Sequence, residues 1–234
     1  MNRTPPRPPQ AILFDLYGTL VPNFPPEAYL AAIAAMAQEL AVPPDDFREA
    51  WHSRFIRRAT GKDGGVVSSI QYVLEDMGAS AAGERIERAR ERRLAFARSL
   101  YDAGAESLEV LNELKARGLR LALVSDCSCE VVELWDTHPL FAPFLARSLS
   151  CELGVMKPAP ERYLHALRAL GAEAGKSWYI GDGGSREFTG AKAVGLFTIL
   201  CRQPGSRQFV HDEDGAEAEM QVPELAELVK LLDG

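Results

Sequence analysis

Three short apolar runs in this chain carry an aspartate at or near their end. AILFDLY over 11–17 holds Asp15, LRLALVSD closes at Asp126, and SWYIGD closes at Asp182. Each is rich in residues that suit a strand, and glycine or proline bounds the first two, at Pro8-Pro9, Gly18 and Gly118. Continuous apolar runs of this length predict strands covered on both faces, as in a parallel sheet. LFTILC over 196–201 and the weaker FLARSLS over 144–150 predict two more. Helical stretches lie between them and stop at glycine, which accepts the left-handed backbone that ends a helix. They are 106–117 before Gly118, 160–170 before Gly171 and 186–194 before Gly195, with 223–232 at the end. Strands alternating with helices predict an α/β fold, a doubly wound parallel sheet of Rossmann type.

Residues 22–100 break that rhythm. Apolar residues recur at helical spacing at Tyr29, Leu30, Ile33, Met36 and Leu40, and further helical stretches cover 51–59, 67–77 and 82–100. Pro22, Pro25 and Pro26 mark one edge and Ala103-Gly104-Ala105 the other. The expected organisation is therefore a core domain from 1–21 and 101–234 with an all-helical cap domain, 22–100, inserted as a lid. Acidic and basic residues balance in the cap, eleven of each, so the core carries the whole net charge of −7.

That charge excludes some functions. Phosphate neutralisation needs lysine and arginine, so an acidic chain is not expected to bind nucleic acid. RIERARERR over 85–93 is the densest basic stretch, but its charge is mixed and no aromatic residue interleaves it. No apolar run reaches the ~20 residues that cross a bilayer, and MNRTPPRPPQ lacks the apolar stretch of a signal peptide. A cytoplasmic location is expected. The four cysteines, Cys127, Cys129, Cys151 and Cys201, are then expected as reduced thiols, without zinc-finger spacing.

In open α/β sheets, ligands bind beyond the carboxyl ends of the strands, where all three aspartates fall. A single aspartate there often only caps the next turn. Three of them, with Gly18 and Thr19 shaping a tight turn after Asp15, point to chemistry. Four segments in order resemble the motifs of the haloacid dehalogenase-like hydrolase superfamily: FDLYGTL over 14–20, VSD over 124–126, Lys157 in GVMKPAP, and GDGGSREFTGA over 181–191. The resemblance implies that Asp15 is a nucleophile that forms a covalent intermediate. It implies that Ser125 binds the transferred group and that Lys157 holds nucleophile and substrate together. It implies Mg²⁺, bound by Asp15, the Tyr17 carbonyl and Asp182, with Glu187 reaching the ion through water. The cap fits the type inserted after the first motif, since 111 positions separate Asp15 from Asp126 and only 31 separate Asp126 from Lys157. Such a lid would exclude water on closing.

Tyr17 departs from the phosphatases of the superfamily, which carry a second aspartate there to protonate the leaving group. A tyrosine, with a pKa near ~10, is a poor base. FDLYGTL resembles the 2-haloacid dehalogenases, whose halide leaves without a proton. Those enzymes are metal-free, have serine at the position of Asp182, and carry a cap arginine after a tryptophan, where this chain has Trp51-His52. The fourth motif outweighs the first, so the expected activity is a Mg²⁺-dependent phosphomonoester hydrolase acting on a small anionic metabolite. The alternatives are a 2-haloacid dehalogenase-type hydrolase, or a weakly active or non-catalytic small-molecule binder. Arg54, Arg57 and Arg58 are read as a solvated helix face. Trp135 and Phe141 are read as packing, Gly64-Gly65 as a loop, and His138, His165 and His211 as lacking a catalytic partner. The oligomeric state is left open by the sequence.

Overall fold

Each aspartate-bearing run forms a strand, and the sheet places all three strand ends on one edge. The computed structural model describes residues 4–203 and 217–233; His211 lies outside them. The chain runs β1 (Ala11–Phe14), α1 (Pro26–Leu40), α2 (Pro44–Ser53), α3 (Phe55–Ala59), α4 (Val66–Asp76), α5 (Gly83–Asp102) and α6 (Ala105–Ala116). It continues through β2 (Arg120–Ser125), α7 (Glu130–Leu134), β3 (Ala146–Leu149), α8 (Ser150–Leu153) and α9 (Pro160–Leu170). Then come β4 (Ser177–Gly181), α10 (Glu187–Ala193), β5 (Phe197–Leu200), β6 (Met220–Gln221) and α11 (Ala226–Asp233).

The strands form one parallel sheet in the order β3-β2-β1-β4-β5-β6. The chain builds outward from β1 through β2 to β3, then crosses back to place β4 on the other side. This reversal between β1 and β4 is the switch point at which α/β sheets bind ligands. Side chains of the strands alternate between two buried faces. Ala11, Leu13, Ala122 and Val124 pack with Tyr163, Leu167 and Ala191 of α9 and α10. Ile12, Phe14, Leu121 and Leu123 join the opposite face with Leu111 and Leu114 of α6. Burial on both faces explains why the runs are continuously apolar.

All of α1 to α5 comes from the 22–100 segment and its immediate C-terminal edge. α1 packs most heavily on α5, and Ile33, Met36, Phe47, Trp51, Ile70 and Leu94 are buried among them.

Several boundaries differ from expectation. The first run stops being a strand at Phe14, because the N–H groups of Leu20 and Val21 both turn back to the Leu16 carbonyl. The 51–59 stretch is split between two helices, which part at Arg54 (φ −92°, ψ 8°). The edge strand β6 carries no alternation long enough to be read in advance. No helix among the described residues is long and apolar enough to cross a membrane. The four cysteines are free thiols.

Candidate active site

The ladder sets Asp15 and Asp182 side by side. Phe14 pairs with Ile180 across β1 and β4 and with Leu123 across β1 and β2. Asp15 is therefore level with Gly181 and Val124, and Asp182 and Ser125 follow one position later, so all three emerge at the switch point. Gly18 lets the loop after β1 fold down onto Asp182. A Cβ there would lie 2.2 Å from Asp182 Oδ2, and its φ of +84° is left-handed. Gly181 plays the same part for Glu187, since its Cβ would lie 2.0 Å from Oε1.

Asp15, Asp182 and Glu187 are buried, and each offers a carboxylate oxygen within 4.8 Å of the others. Lys157 enters from the loop before α9. Its Nζ donates to Asp15 Oδ1 at 2.6 Å and to Glu187 Oε2 at 2.8 Å. Tyr179 OH donates to the same Glu187 oxygen at 2.6 Å, and the Gly183 N–H donates to Oε1 at 2.8 Å. Glu187 thus has both oxygens engaged by protein donors. Asp182 accepts the Gly184 N–H at 2.9 Å and, weakly, Asn23 Nδ2 at 3.4 Å.

Of the three carboxylates, the Lys157 ammonium pairs with Asp15 and Glu187. Burial pushes the Asp15 carboxyl up to about 8; Lys157 opposes the rise, and Glu187 and Asp182 add to it. Burial also raises Glu187. Lys157 stays charged: burial would lower it, but Asp15, Glu187 and Asp126 hold it well above the ordinary lysine value. A group of buried carboxylate oxygens with this excess of negative charge fits a hard divalent cation.

Ser125 Oγ is fully buried and has no hydrogen-bond partner among the described residues. Buried hydroxyls are nearly always partnered, which sets this one apart at the strand end. Tyr17 sends its side chain away from the carboxylates. Its hydroxyl lies 3.2 Å from Tyr101 OH and its ring packs on Phe24 at 4.7 Å between centroids. Burial and then Tyr101 raise that hydroxyl well above its usual value, so it is neutral.

The third strand-end aspartate, Asp126, secures the Lys157 loop instead of joining the cluster. Both of its oxygens accept the Lys157 N–H at 3.1 Å, and Arg162 Nη1 donates to it at 3.2 Å. Arg162 is wholly buried and also binds Ser125 O at 2.8 Å, Val155 O at 2.8 Å and the Ser148 carbonyl. It ties the ends of β2 and β3 to the loop that carries Lys157. Sequence reasoning missed it, although its place on the apolar face of α9 with Tyr163, Ala166, Leu167 and Leu170 is a signal.

The reading of Arg54, Arg57 and Arg58 as a solvated face needs correction. Arg58 is buried, with its guanidinium 3.9 Å over the Trp51 ring. Arg54 binds Asp63 and Asp76, and Arg57 shares Asp63. Only Arg58 turns inward; Arg54 is partly covered by its carboxylate partners, and Arg57 stays exposed as expected. Arg93, inside the mixed-charge stretch, is buried too and pairs with Glu130 at 2.5 Å. Trp135 and Phe141 do pack, stacked at 5.1 Å. His138 contacts Asp102 at 3.2 Å, away from the carboxylate cluster.

A family model described as haloacid dehalogenase-like hydrolase matches residues 9–195. The chain belongs to the haloacid dehalogenase-like hydrolase family. Among relatives of this hydrolase, a glyceraldehyde 3-phosphate phosphatase of Methanopyrus kandleri is 26% identical over 95% of this chain and 98% of its own. A ribulose-1,5-bisphosphate 5-phosphatase of Halopiger xanaduensis is 28% identical over 95% and 98%. A second glyceraldehyde 3-phosphate phosphatase, from Methanocaldococcus jannaschii, is 27% identical over 54% of this chain, which spans only 56% of that relative. Among solved structures, a 2-haloacid dehalogenase of Pseudomonas syringae pv. Tomato superposes with a TM-score of 0.69 at 23% identity, covering 96% and 98% of the two chains. A HAD phosphatase of Thermococcus onnurineus gives 0.64 at 23%, with the same coverage. The fold is common to both activities, so the choice between them falls to the site.

Proposed function

We propose that this hydrolase is a phosphomonoester hydrolase acting on a small phosphorylated metabolite through an aspartyl-phosphate intermediate, with Mg²⁺ as cofactor. One observation carries the reading: three buried carboxylates, Asp15, Asp182 and Glu187, offer oxygens within 4.8 Å of one another, and Lys157 pairs with only two of them. A haloacid substrate, itself a carboxylate, gains nothing from such a centre, whereas a cation-screened phosphate does. The names of the relatives point the same way, since three of them are phosphatases of small sugar or triose phosphates.

Asp15, Asp182 and the Tyr17 carbonyl would hold the ion, with Glu187 behind them. Bound there, Mg²⁺ screens the dianionic ester from the carboxylates and stabilises the transferring group. Asp15 attacks phosphorus, the bond to the ester oxygen breaks, and water later releases phosphate from Asp15. Lys157 keeps Asp15 oriented from Oδ1. Ser125 Oγ gives its unused hydrogen bond to a phosphoryl oxygen. Residues 1–21 and 101–234 act as the catalytic core and 22–100 as the cap that covers it and excludes water.

Tyr17 favours a second reading, a 2-haloacid dehalogenase, because its side chain supplies no carboxyl beside Asp15. One experiment separates the two. Phosphate release from a panel of phosphomonoesters, with and without Mg²⁺, is run beside chloride release from 2-chloropropionate. Mg²⁺-dependent phosphate release supports the proposal. Chloride release without metal, or calorimetric Mg²⁺ binding that is equal in the wild type and Asp182→Ala, overturns it.

A further inference from the structure

Tyr179 lies in the middle of β4 with its side chain on the face that α9 and α10 cover. It is fully buried, and its ring packs edge-on to Tyr163 at 5.2 Å and Phe188 at 6.3 Å between centroids. A phenylalanine would fill the same apolar room. The hydroxyl adds a polar group that must find a partner there. It finds two, and both belong to the active site. Tyr179 OH donates to Glu187 Oε2 at 2.6 Å and lies 3.4 Å from Lys157 Nζ. An ammonium only donates, so the one hydroxyl proton goes to Glu187 while the oxygen accepts from Lys157.

The three groups close a set of hydrogen bonds. Lys157 Nζ has three protons to give and meets three acceptors, Asp15 Oδ1 at 2.6 Å, Glu187 Oε2 at 2.8 Å and Tyr179 OH at 3.4 Å. Glu187 Oε2 receives both Lys157 and Tyr179, and Oε1 receives the Gly183 N–H at 2.8 Å. The backbone of Glu187 is fixed as well, since Tyr163 OH donates to its carbonyl at 2.8 Å. A carboxylate has about four lone-pair sites. Both of those on Oε2 are filled, and one of those on Oε1. Yet Glu187 stands within 4.8 Å of Asp15 and Asp182, close enough to be drawn onto a cation held between them. The bonds from Tyr179 and Lys157 oppose that movement.

We infer that Tyr179 is a positioning residue whose hydroxyl reserves Glu187 for Lys157. Glu187 then stays out of the ion's coordination, and the Lys157 ammonium stays aimed at Asp15 Oδ1. The inference rests on the phosphohydrolase reading for the ion and the reaction. Tyr179 acts through Glu187 and Lys157 alone.

Tyr179→Phe deletes the oxygen and keeps the ring, so the packing against Tyr163 and Phe188 survives. In the metal-free protein, the NMR signal of the Lys157 ammonium is assigned by its loss in Lys157→Met. Its protons should exchange with water about 10-fold faster in Tyr179→Phe, the effect of loosening one hydrogen bond to a charged group. In calorimetry, Mg²⁺ should bind Tyr179→Phe about 3- to 10-fold more tightly than wild type, because the carboxylate has lost a competing donor. The gain should vanish in the double variant Tyr179→Phe, Glu187→Gln, measured against Glu187→Gln. Turnover moves the other way. On a phosphomonoester, kcat should fall about 10-fold with KM within about twofold, the mark of lost orientation rather than lost binding. A tyrosine that served packing alone would weaken Mg²⁺ binding and turnover together, or change neither. Mg²⁺ affinity in Tyr179→Phe equal to or weaker than wild type, or unchanged Lys157 exchange, overturns the inference. If Tyr179→Phe does not fold, Glu187→Gln carries the test. Faster Lys157 exchange with Mg²⁺ affinity within about fivefold of wild type supports the inference, and a larger loss, as for a direct ligand, overturns it. Lys157 exchange that depends on Tyr179 in a protein that binds no Mg²⁺ removes the metal from the phosphohydrolase reading and leaves the positioning role.

Discussion

Asp15, Asp182 and Lys157 hang from strand ends and the loops that follow them, whereas Arg58 and Arg93 hang from the helices of the 22–100 segment. The first group is placed by the sheet. Hydrogen-bonded register puts Phe14 beside Ile180, so Asp15 comes level with Gly181 and Asp182 follows one position later at the same edge. The second group is placed by helical phase and by how α2, α3 and α5 pack, which depends on many side chains at once. Charge follows the same division. The strand-end centre holds more anionic than cationic groups, whereas the cavity against the helices is lined by two of each, Arg58 and Arg93 with Asp126 and Glu130.

The largest test of the strand-end group is Asp15→Asn. Phosphomonoester turnover should fall by about 10⁴-fold or more, because the amide cannot form the covalent intermediate. The fold should hold, since the asparagine keeps the size and leaves Lys157 with Glu187. Its stability profile carries a sign. Asp15 titrates near 8 when folded and near ~4 in an unfolded chain. Between those values the folded state holds a proton that the unfolded state has lost. Stability of the cation-free wild type therefore falls as pH rises through that window, by at most ~1.4 kcal/mol per unit from this group. In Asp15→Asn the slope should be shallower, with the remainder from Glu187. Thermal melts from pH 4 to 8 in chelator measure it. Retained turnover, or an unchanged slope, would show that Asp15 is neither nucleophile nor the group under strain.

Tyr17 is where the two regions meet, since its backbone belongs to the loop of Asp15 and its ring lines the cavity against the helices. Tyr17→Asp should raise kcat/KM on an alkyl phosphate, within or below the ~10²–10⁴-fold range of general acid–base catalysis. The alkyl ester is the sharper substrate because its alkoxide needs the proton more than a nitrophenolate does. No gain in a folded variant that binds Mg²⁺ would mean that a missing carboxyl is not what limits turnover.

Much of the strand-end group was legible in the sequence. Apolar runs closed by aspartate, spaced glycines and the acidic fourth motif name Asp15, Ser125, Lys157, Asp182 and Glu187, and the fold brings these residues to one sheet edge. Tyr179 was not legible, because its hydroxyl acts inside a strand that reads as plain core. Arg58 was misread, and Arg93 passed over, for a related reason. Composition counts an arginine as surface, and only its phase against Ile86, Ala89, Phe96, Ala97 and Leu100 puts Arg93 on the buried face of α5. A charged residue in step with an apolar stripe is the signal to seek in such helices, and Arg162 in α9 repeats it.

Arg93 tests the helical region alone. Burial pushes the Glu130 carboxyl up, and the Arg93 guanidinium overcomes this and holds it below the usual range. Arg93→Met leaves that carboxylate with only Arg58 nearby, and breaking a buried pair of this kind costs about 3–5 kcal/mol. The double variant Arg93→Met, Glu130→Leu should recover most of the loss. Chemical denaturation of the three proteins measures the cycle. A double variant no more stable than Arg93→Met would show that the pair is held by packing rather than charge.

The smallest effects separate two serines at neighbouring strand ends. Ser150 Oγ accepts the Cys127 N–H at 2.9 Å and donates to the Cys127 carbonyl at 3.2 Å, linking the end of β3 to the residues after β2. Ser125 Oγ is equally buried and makes no such bond. Ser150→Ala should therefore cost about 1–3 kcal/mol, because it strands a buried backbone donor. Ser125→Ala removes a hydroxyl that the folded protein leaves unpartnered, so stability should stay within about 0.5 kcal/mol or rise. Its loss should appear in catalysis instead, as a roughly 10-fold drop in kcat/KM for phosphomonoesters, the size of one hydrogen bond to a charged group. Denaturation midpoints and steady-state kinetics of the two variants give a crossed pattern if Ser125 is kept for a ligand. A Ser125→Ala protein that is destabilised as much as Ser150→Ala, with kinetics unchanged, would return Ser125 to the ordinary polar core and leave the phosphoryl group without its strand-end donor.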